Sequence, residues 1–209
     1  KEINKRTDLS EEIKHNITEY IYYAHIGQGL DIYYTEHKII PPIHKYEELI
    51  EYKTGMLFYP ILDLMVFKTN NKIIENKNDE IRTCLKKFAL FFQIRDDYIN
   101  ITSKKYWEER GFCQDFDEKK ISYLITFCTN NKMDKFKKIN KLMEKDNKTN
   151  KYKIRIIKLM YDNGLLNIIY SLLDELKKEI LNILNLEAIF AKLPYEKFNM
   201  DNIHDYLHI

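Results

Sequence analysis

The segment FFQIRDDYIN, residues 91–100, carries the side chains of this chain best suited by type and spacing to chemistry. Read as a helix, it sets Gln93, Asp96, Asp97 and Asn100 at separations of three and four, on one face. Phe88, Phe91, Phe92, Ile94, Tyr98 and Ile99 fill the rest of the circumference. The pattern is a buried helix with a narrow polar stripe and two adjacent carboxylates. Such carboxylates repel each other unless a cation stands between or above them. Mg²⁺ takes oxygen ligands and commonly bridges one or two carboxylates to a substrate phosphate. The stripe therefore predicts a metal and, through it, a phosphorylated ligand.

Other strings could complete such a site. Lys53-Thr54-Gly55 places an ammonium beside a hydroxyl, and both can donate to a phosphate oxygen. Charge-assisted bonds of this kind contribute roughly 1.5–3 kcal/mol each, although a surface lysine is the plainer explanation of so short a string. In Gly27-Gln28-Gly29-Leu30-Asp31, Gln28 and Asp31 share a helix face. Each glycine costs a helix about 1 kcal/mol relative to alanine, which implies tight helix packing or a nearby ligand. The string ERGFCQDFDEKK, 109–120, follows the acidic helix directly. A loop there can fold Arg110 and Lys120 over a metal-bound anion from its other side.

These residues need helices to position them, and the composition supplies helices. Gly and Pro number only 5 and 4, too few for the turns of an all-β chain, while 44% apolar residues suffice for a core. Periodicity and punctuation predict a helix over 9–34, a loop over 35–43 with Pro41-Pro42, and a helix over 44–68 bent near Gly55 and Pro60. They predict a polar connection over 69–78, the striped helix over 79–102, a charged loop over 103–119 and a helix over 120–130. The Lys-rich stretch 132–153 reads as a solvated helix and loop. Residues 154–187 read as core helices broken near Asn163-Gly164, and 194–209 as a short helix or loop without readable chemistry. The whole of 1–209 reads as a single domain.

A net charge of +2, left from 34 basic and 32 acidic residues, gives no pull toward nucleic acid or anionic membrane. No apolar run reaches the length of a transmembrane segment, and no signal peptide opens the sequence. Cys84, Cys113 and Cys128 lack metal-ligand spacing and fit a reducing, cytoplasmic setting.

In order and spacing, GQGLDIYY (27–34), YKTGMLF (52–58), FFQIRDDYIN (91–100) and SKKYWEERGFCQDFDEKKIS (103–122) resemble the trans-prenyl diphosphate synthases, most closely the eukaryotic geranylgeranyl diphosphate synthases. The resemblance spans roughly residues 10–185. It implies an all-α fold, the C-terminal portion of the isoprenoid-synthase helical bundle, with helices around a central substrate cavity. It implies that Asp96 and Asp97, with Asn100 on the same motif, hold Mg²⁺ on an allylic diphosphate. By the same resemblance Gln93 orients that group, Lys53, Thr54, Arg110 and Lys120 bind the diphosphate, and Gln28 and Asp31 belong to the substrate site. Lys53, Thr54, Gln93 and Lys120 are then the catalytic set. The implied reaction ionises the allylic carbon–oxygen bond, adds isopentenyl diphosphate and releases a proton, giving geranylgeranyl diphosphate from farnesyl diphosphate or a shorter substrate. A homodimer is expected, with no nucleic-acid partner.

Departures from the family pattern are Arg110 and Lys119, where the family has Lys and Gly, and Met56, Gln114 and Leu124, where Gly, Glu and usually Pro are found. The family's first Asp-rich motif, DDxxD, lies upstream of the GQGLD segment, and the given sequence begins too late to show it. The residues here are expected to supply about half of an active site. The alternative is a non-catalytic or regulatory subunit, or a helical interaction protein that keeps only the fold.

Overall fold

The computed structural model describes residues 9–69, 77–131, 134–143 and 149–207. All regular structure among the described residues is helical. Helix α1, Glu11–Glu36, opens at Ser10, whose side chain accepts from the Ile13 amide at 3.3 Å, with Glu11 and Glu12 at the positive end of the helix dipole. Pro41-Pro42 ends the following turn, and α2 runs Ile43–Lys53. The bend expected at Gly55 and Pro60 is a full break: a 3₁₀ turn at Gly55–Leu57 separates α2 from α3, Tyr59–Thr69. Pro60 stands in the first turn of α3, where its missing N–H leaves no bond unmade. Most of the polar connection expected at 69–78 lies outside the described residues.

The striped helix α4, Asn78–Thr102, is the centre of the molecule. Cys84, Ala89, Phe91, Ile94 and Tyr98 on it are completely buried. Large apolar side chains contribute about 1.5–3 kcal/mol each on burial. Residues 103–119, expected as a loop, instead fold into two short helices, α5 at Lys104–Arg110 and α6 at Gln114–Asp117. The cause is local. Ser103 leaves α4 in an extended conformation and caps α5, and Gly111 (φ +96°) stops it. Helix α7, Tyr123–Asn130, begins three residues later than expected because Ser122 is its cap, accepting from the Ile125 amide at 3.4 Å.

Helices α8 (Asp134–Met143), α9 (Asn150–Asp162) and α10 (Leu165–Ile183) follow, the last two joined through Gly164 at φ +75°. The Lys-rich stretch is not simply solvated: Ile139 and Lys153 are buried. Ile139 sits in an amphipathic helix that turns it into the core, and Lys153 is drawn in by partners described below. Helix α10 packs along α4 and α1 along α2.

The tail adds α11, Glu187–Phe190, and α12, Asp201–Leu207. Between them the chain straps across α4. The Arg95 guanidinium donates to the Pro194 carbonyl at 2.9 and 3.2 Å. The Tyr98 hydroxyl donates to the Glu196 carbonyl at 3.0 Å and accepts from the Phe198 amide at 3.2 Å. The stripe helix is thus held from behind by a segment whose sequence shows no sign of that role.

Of the two explanations for the α1 glycines, close packing holds for Gly27. A Cβ there would stand 2.3 Å from the Lys53 amide nitrogen. The α1 and α2 backbones touch at this point, which fixes Lys53 relative to the turn of α1 that carries Asp31. Gly29 is exposed and meets nothing within 4 Å, and no described residue explains it.

Candidate diphosphate and metal site

The four stripe residues of α4 do not share one environment. Asp97 is fully enclosed. Its Oδ1 accepts from Gln93 Nε2 at 2.9 Å and Lys120 Nζ at 3.0 Å. Its Oδ2 accepts from the Tyr123 amide at 2.7 Å and the Tyr46 hydroxyl at 3.5 Å. The Tyr123 amide is the first N–H of α7, so a helix start points its unsatisfied donor at this carboxylate. Burial, followed by the Asp97 charge, pushes the Tyr46 phenol well up, and it stays a donor. These four contacts occupy the Asp97 carboxylate, and one of them holds Lys120.

Asp96 and Asn100, one turn apart, face a cleft of about 390 Å³ instead. The Tyr106 hydroxyl donates to Asp96 Oδ1 at 3.4 Å. Asn100 Oδ1 is buried in the cleft wall and accepts from no described residue. Leaving a buried acceptor unpaired costs about 1–3 kcal/mol. Of the three residues expected on the metal, Asp96 and Asn100 line the cleft, and Asp97 lies enclosed behind them.

The 110–120 segment forms another part of the cleft, presenting Arg110, Gln114, Asp115, Glu118 and Lys120. Lys120 bridges Asp97 to Asp115, at 3.0 and 3.2 Å. Burial on its own would lower the Lys120 ammonium, but the Asp97 and Asp115 charges outweigh it and its pKa is raised. Asp115 is pushed up to about 6, mainly by burial, with Lys120 opposing and Asp97 adding to the rise. From α1 come Asp31 and Glu36. Lys53 Nζ stands 2.6 Å from Asp31 Oδ2, which tethers it beside the cleft.

The structure therefore gathers Lys53, Asp31, Asp96, Asn100, Arg110 and Lys120 in or beside one cleft, with Gln93 and Asp97 in support. Thr54 caps α2, away from the cleft lining, and Gln28 is exposed on α1, also outside it. Sequence reasoning missed Tyr46, Tyr106 and Asp115. Asp115 lay inside a string already singled out, and a search for acids near Lys120 would have found it. Tyr46 had no such signal, since it meets Asp97 across 51 positions. Among the described residues, no group of three or more His, Cys, Asp or Glu gathers as metal ligands. A cation at Asp96 and Asn100 would draw its other oxygens from water or an anionic ligand, as Mg²⁺ commonly does.

A chain with this helical cleft matches the family described as Polyprenyl synthetase over residues 2–160. It belongs to that family. As a polyprenyl synthetase family member it is 33% identical over 172 residues to Geranylgeranyl pyrophosphate synthase 3 of Zymoseptoria tritici, covering 80% of this chain and 46% of the relative. It is 33% identical over 173 residues to the Bifunctional type I diterpene synthase tndC of Aspergillus flavipes, covering 80% and 22%. It is 32% identical over 140 residues to Geranylgeranyl pyrophosphate synthase paxG of Penicillium paxilli, covering 67% and 36%. The chain spans less than half the length of each of these relatives. The match embraces α1 to α9 almost to its end, and so includes every residue placed in or beside the cleft.

Proposed function

We propose that this chain supplies the diphosphate-binding wall of a prenyltransferase that joins isopentenyl diphosphate to an allylic diphosphate and yields geranylgeranyl diphosphate. The observation that carries this reading is the unpartnered Asn100 oxygen beside Asp96, in the cleft that also holds Arg110 and Lys120. An acceptor pair and a pair of cations in one cavity suit a metal-bound polyanion better than either ion alone. The named activities of the geranylgeranyl pyrophosphate synthases among the relatives support the product class.

Asp96 and Asn100 would hold Mg²⁺, which supplies charge neutralisation on the diphosphate. Lys120, Arg110 and Lys53 bind the same anion. As the allylic carbon–oxygen bond breaks, its electron pair goes to the diphosphate, and these preset cations stabilise that charge. The Asp97–Gln93–Tyr46 cluster keeps Lys120 aimed without reorganisation. The isopentenyl double bond then attacks the allylic carbocation, and loss of a proton restores a double bond. The reading carries a homodimer and a cytosolic setting with it. Exposed Ile21, Tyr22, Ile32 and Tyr33 give α1 apolar surface suited to a partner, and three buried free cysteines suit a reducing compartment.

The test uses the full-length protein and a bisphosphonate as a stable diphosphate analogue. At about a hundred-fold excess over Kd, binding adds about 2.7 kcal/mol to stability. The thermal midpoint should rise by several degrees with Mg²⁺ present and stay put when EDTA removes it. No shift with Mg²⁺ and ligand together would overturn the reading.

A further inference from the structure

The segment that carries Asp115 and Lys120 has an unusual backbone. Gly111, Cys113 and Lys119 adopt φ of +96°, +48° and +53°. Non-glycine residues hold such conformations only where their surroundings enforce them. A lysine from another helix is bonded to this segment at two points. Lys153 on α9 has a side chain only 6% exposed. Its Nζ donates to the Phe112 carbonyl at 2.6 Å and to Asp117 Oδ2 at 2.5 Å, and lies 5.9 Å from the Phe112 ring centroid. A buried ammonium is tolerated only when paired and bonded in this way.

The two oxygens that Lys153 binds bracket residues 113–116. That stretch contains Cys113, with its left-handed backbone, and Asp115, which meets Lys120 at 3.2 Å. One cation thus pins both ends of the turn that sets Asp115 against Lys120, and Lys120 against Asp97. We propose that Lys153 is a positioning residue for diphosphate binding: through Phe112 and Asp117 it fixes the turn that aims Lys120 into the cleft. Lys153 itself touches no ligand in this scheme. The proposal rests on the diphosphate reading of the cleft and adds to it a residue from a stretch that reads as solvated.

The experiment is titration calorimetry of the full-length protein with inorganic pyrophosphate and Mg²⁺, alongside steady-state kinetics. Lys153→Met should weaken pyrophosphate binding about tenfold, in the range seen when partners behind a site's direct ligands are removed. Asp117 is half-exposed, so Asp117→Asn keeps the fold and should weaken binding in the same direction. The double variant should bind no worse than Lys153→Met, because both changes release one pin. KM for the allylic diphosphate should rise more than kcat falls, and Lys153→Arg should recover most of the affinity. If wild type binds pyrophosphate and folded Asp117→Asn and Lys153→Met bind equally well, the positioning role is overturned and the diphosphate reading stands. A loss of stability or kcat with KM unmoved overturns it too. If wild type fails to bind Mg²⁺-pyrophosphate, the diphosphate reading falls and the proposal with it.

Discussion

Helix α4 serves two buried carboxylates, one near each end, and their surroundings differ in a telling way. Near its start, Arg82 pairs with Asp63 of α3. Asp63 also accepts from Tyr20 at 2.8 Å and Asn16 at 3.4 Å, both on α1. Arg82 lies over the Tyr20 and Tyr59 rings, 5.9 and 5.3 Å from their centroids, and donates to the Tyr20 hydroxyl at 3.1 Å. One acid meets one base, and aromatic faces close over them. Near the end of α4, Asp97 is just as well satisfied, but its neighbours are not. Acids outnumber bases among the cleft residues, and the Asn100 oxygen has no donor among the described residues. The first cluster joins three helices and leaves nothing over. The second keeps unmatched charge along its cleft and a buried acceptor in the cleft wall without a donor among the described residues.

The contrast breaks if the two ends respond alike to mutation. The largest effect is expected for Asp96→Ala in the full-length protein. Turnover should fall by about two to three orders of magnitude, the scale of losing a group that stabilises developing charge. Because Asp96 faces the cleft, urea unfolding should change by under about 1 kcal/mol. Asp63→Ala should do the reverse. Stranding Arg82 among aromatic rings should cost about 3 kcal/mol in urea unfolding, while the folded fraction binds Mg²⁺-pyrophosphate as wild type does.

The second cluster also responds to pH. Asp115 has a folded pKa raised from 3.8 to about 6. Between those values the native state keeps a proton that the unfolded state has lost, so this group's contribution to stability falls as pH rises. Relative to Asp115→Asn, wild type should lose about 2 kcal/mol between pH values of about 4 and 6. A flat difference across that window would place Asp115 outside the buried cluster. The smallest effect belongs to Asn100→Ala. It removes an acceptor that has no donor, so stability without metal should change by about 1 kcal/mol or less. The thermal shift given by Mg²⁺ and bisphosphonate together should nevertheless shrink.

The fold class and much of the cleft were legible in the sequence for a simple reason. Residues three or four apart on a helix share a face whatever surrounds it, so the Gln93–Asp96–Asp97–Asn100 stripe could be read directly. The scarcity of Gly and Pro similarly pointed to helices. Short-range caps decided the boundaries: Ser103 and Gly111 bound α5, where a loop was expected, and Ser122 starts α7, three residues after the helix start expected at 120. The roles inside the stripe were not legible at all. Asp96 and Asp97 are adjacent and chemically identical, and only their neighbours make one a cleft residue and the other an anchor.

Residue types and periodicity specify an all-helical chain, a polar stripe within a largely apolar stretch at 88–101, and the cations before and after it. The tertiary structure decided which of those groups are free. It brought the α7 start and Tyr46 onto Asp97, pressed α1 onto α2 at Gly27 so that Asp31 meets Lys53, and drew Lys153 under the turn that presents Asp115. Each of these contacts joins residues far apart in the chain. Helical periodicity fixes directions within one element, whereas burial and hydrogen-bond satisfaction depend on what packs against it.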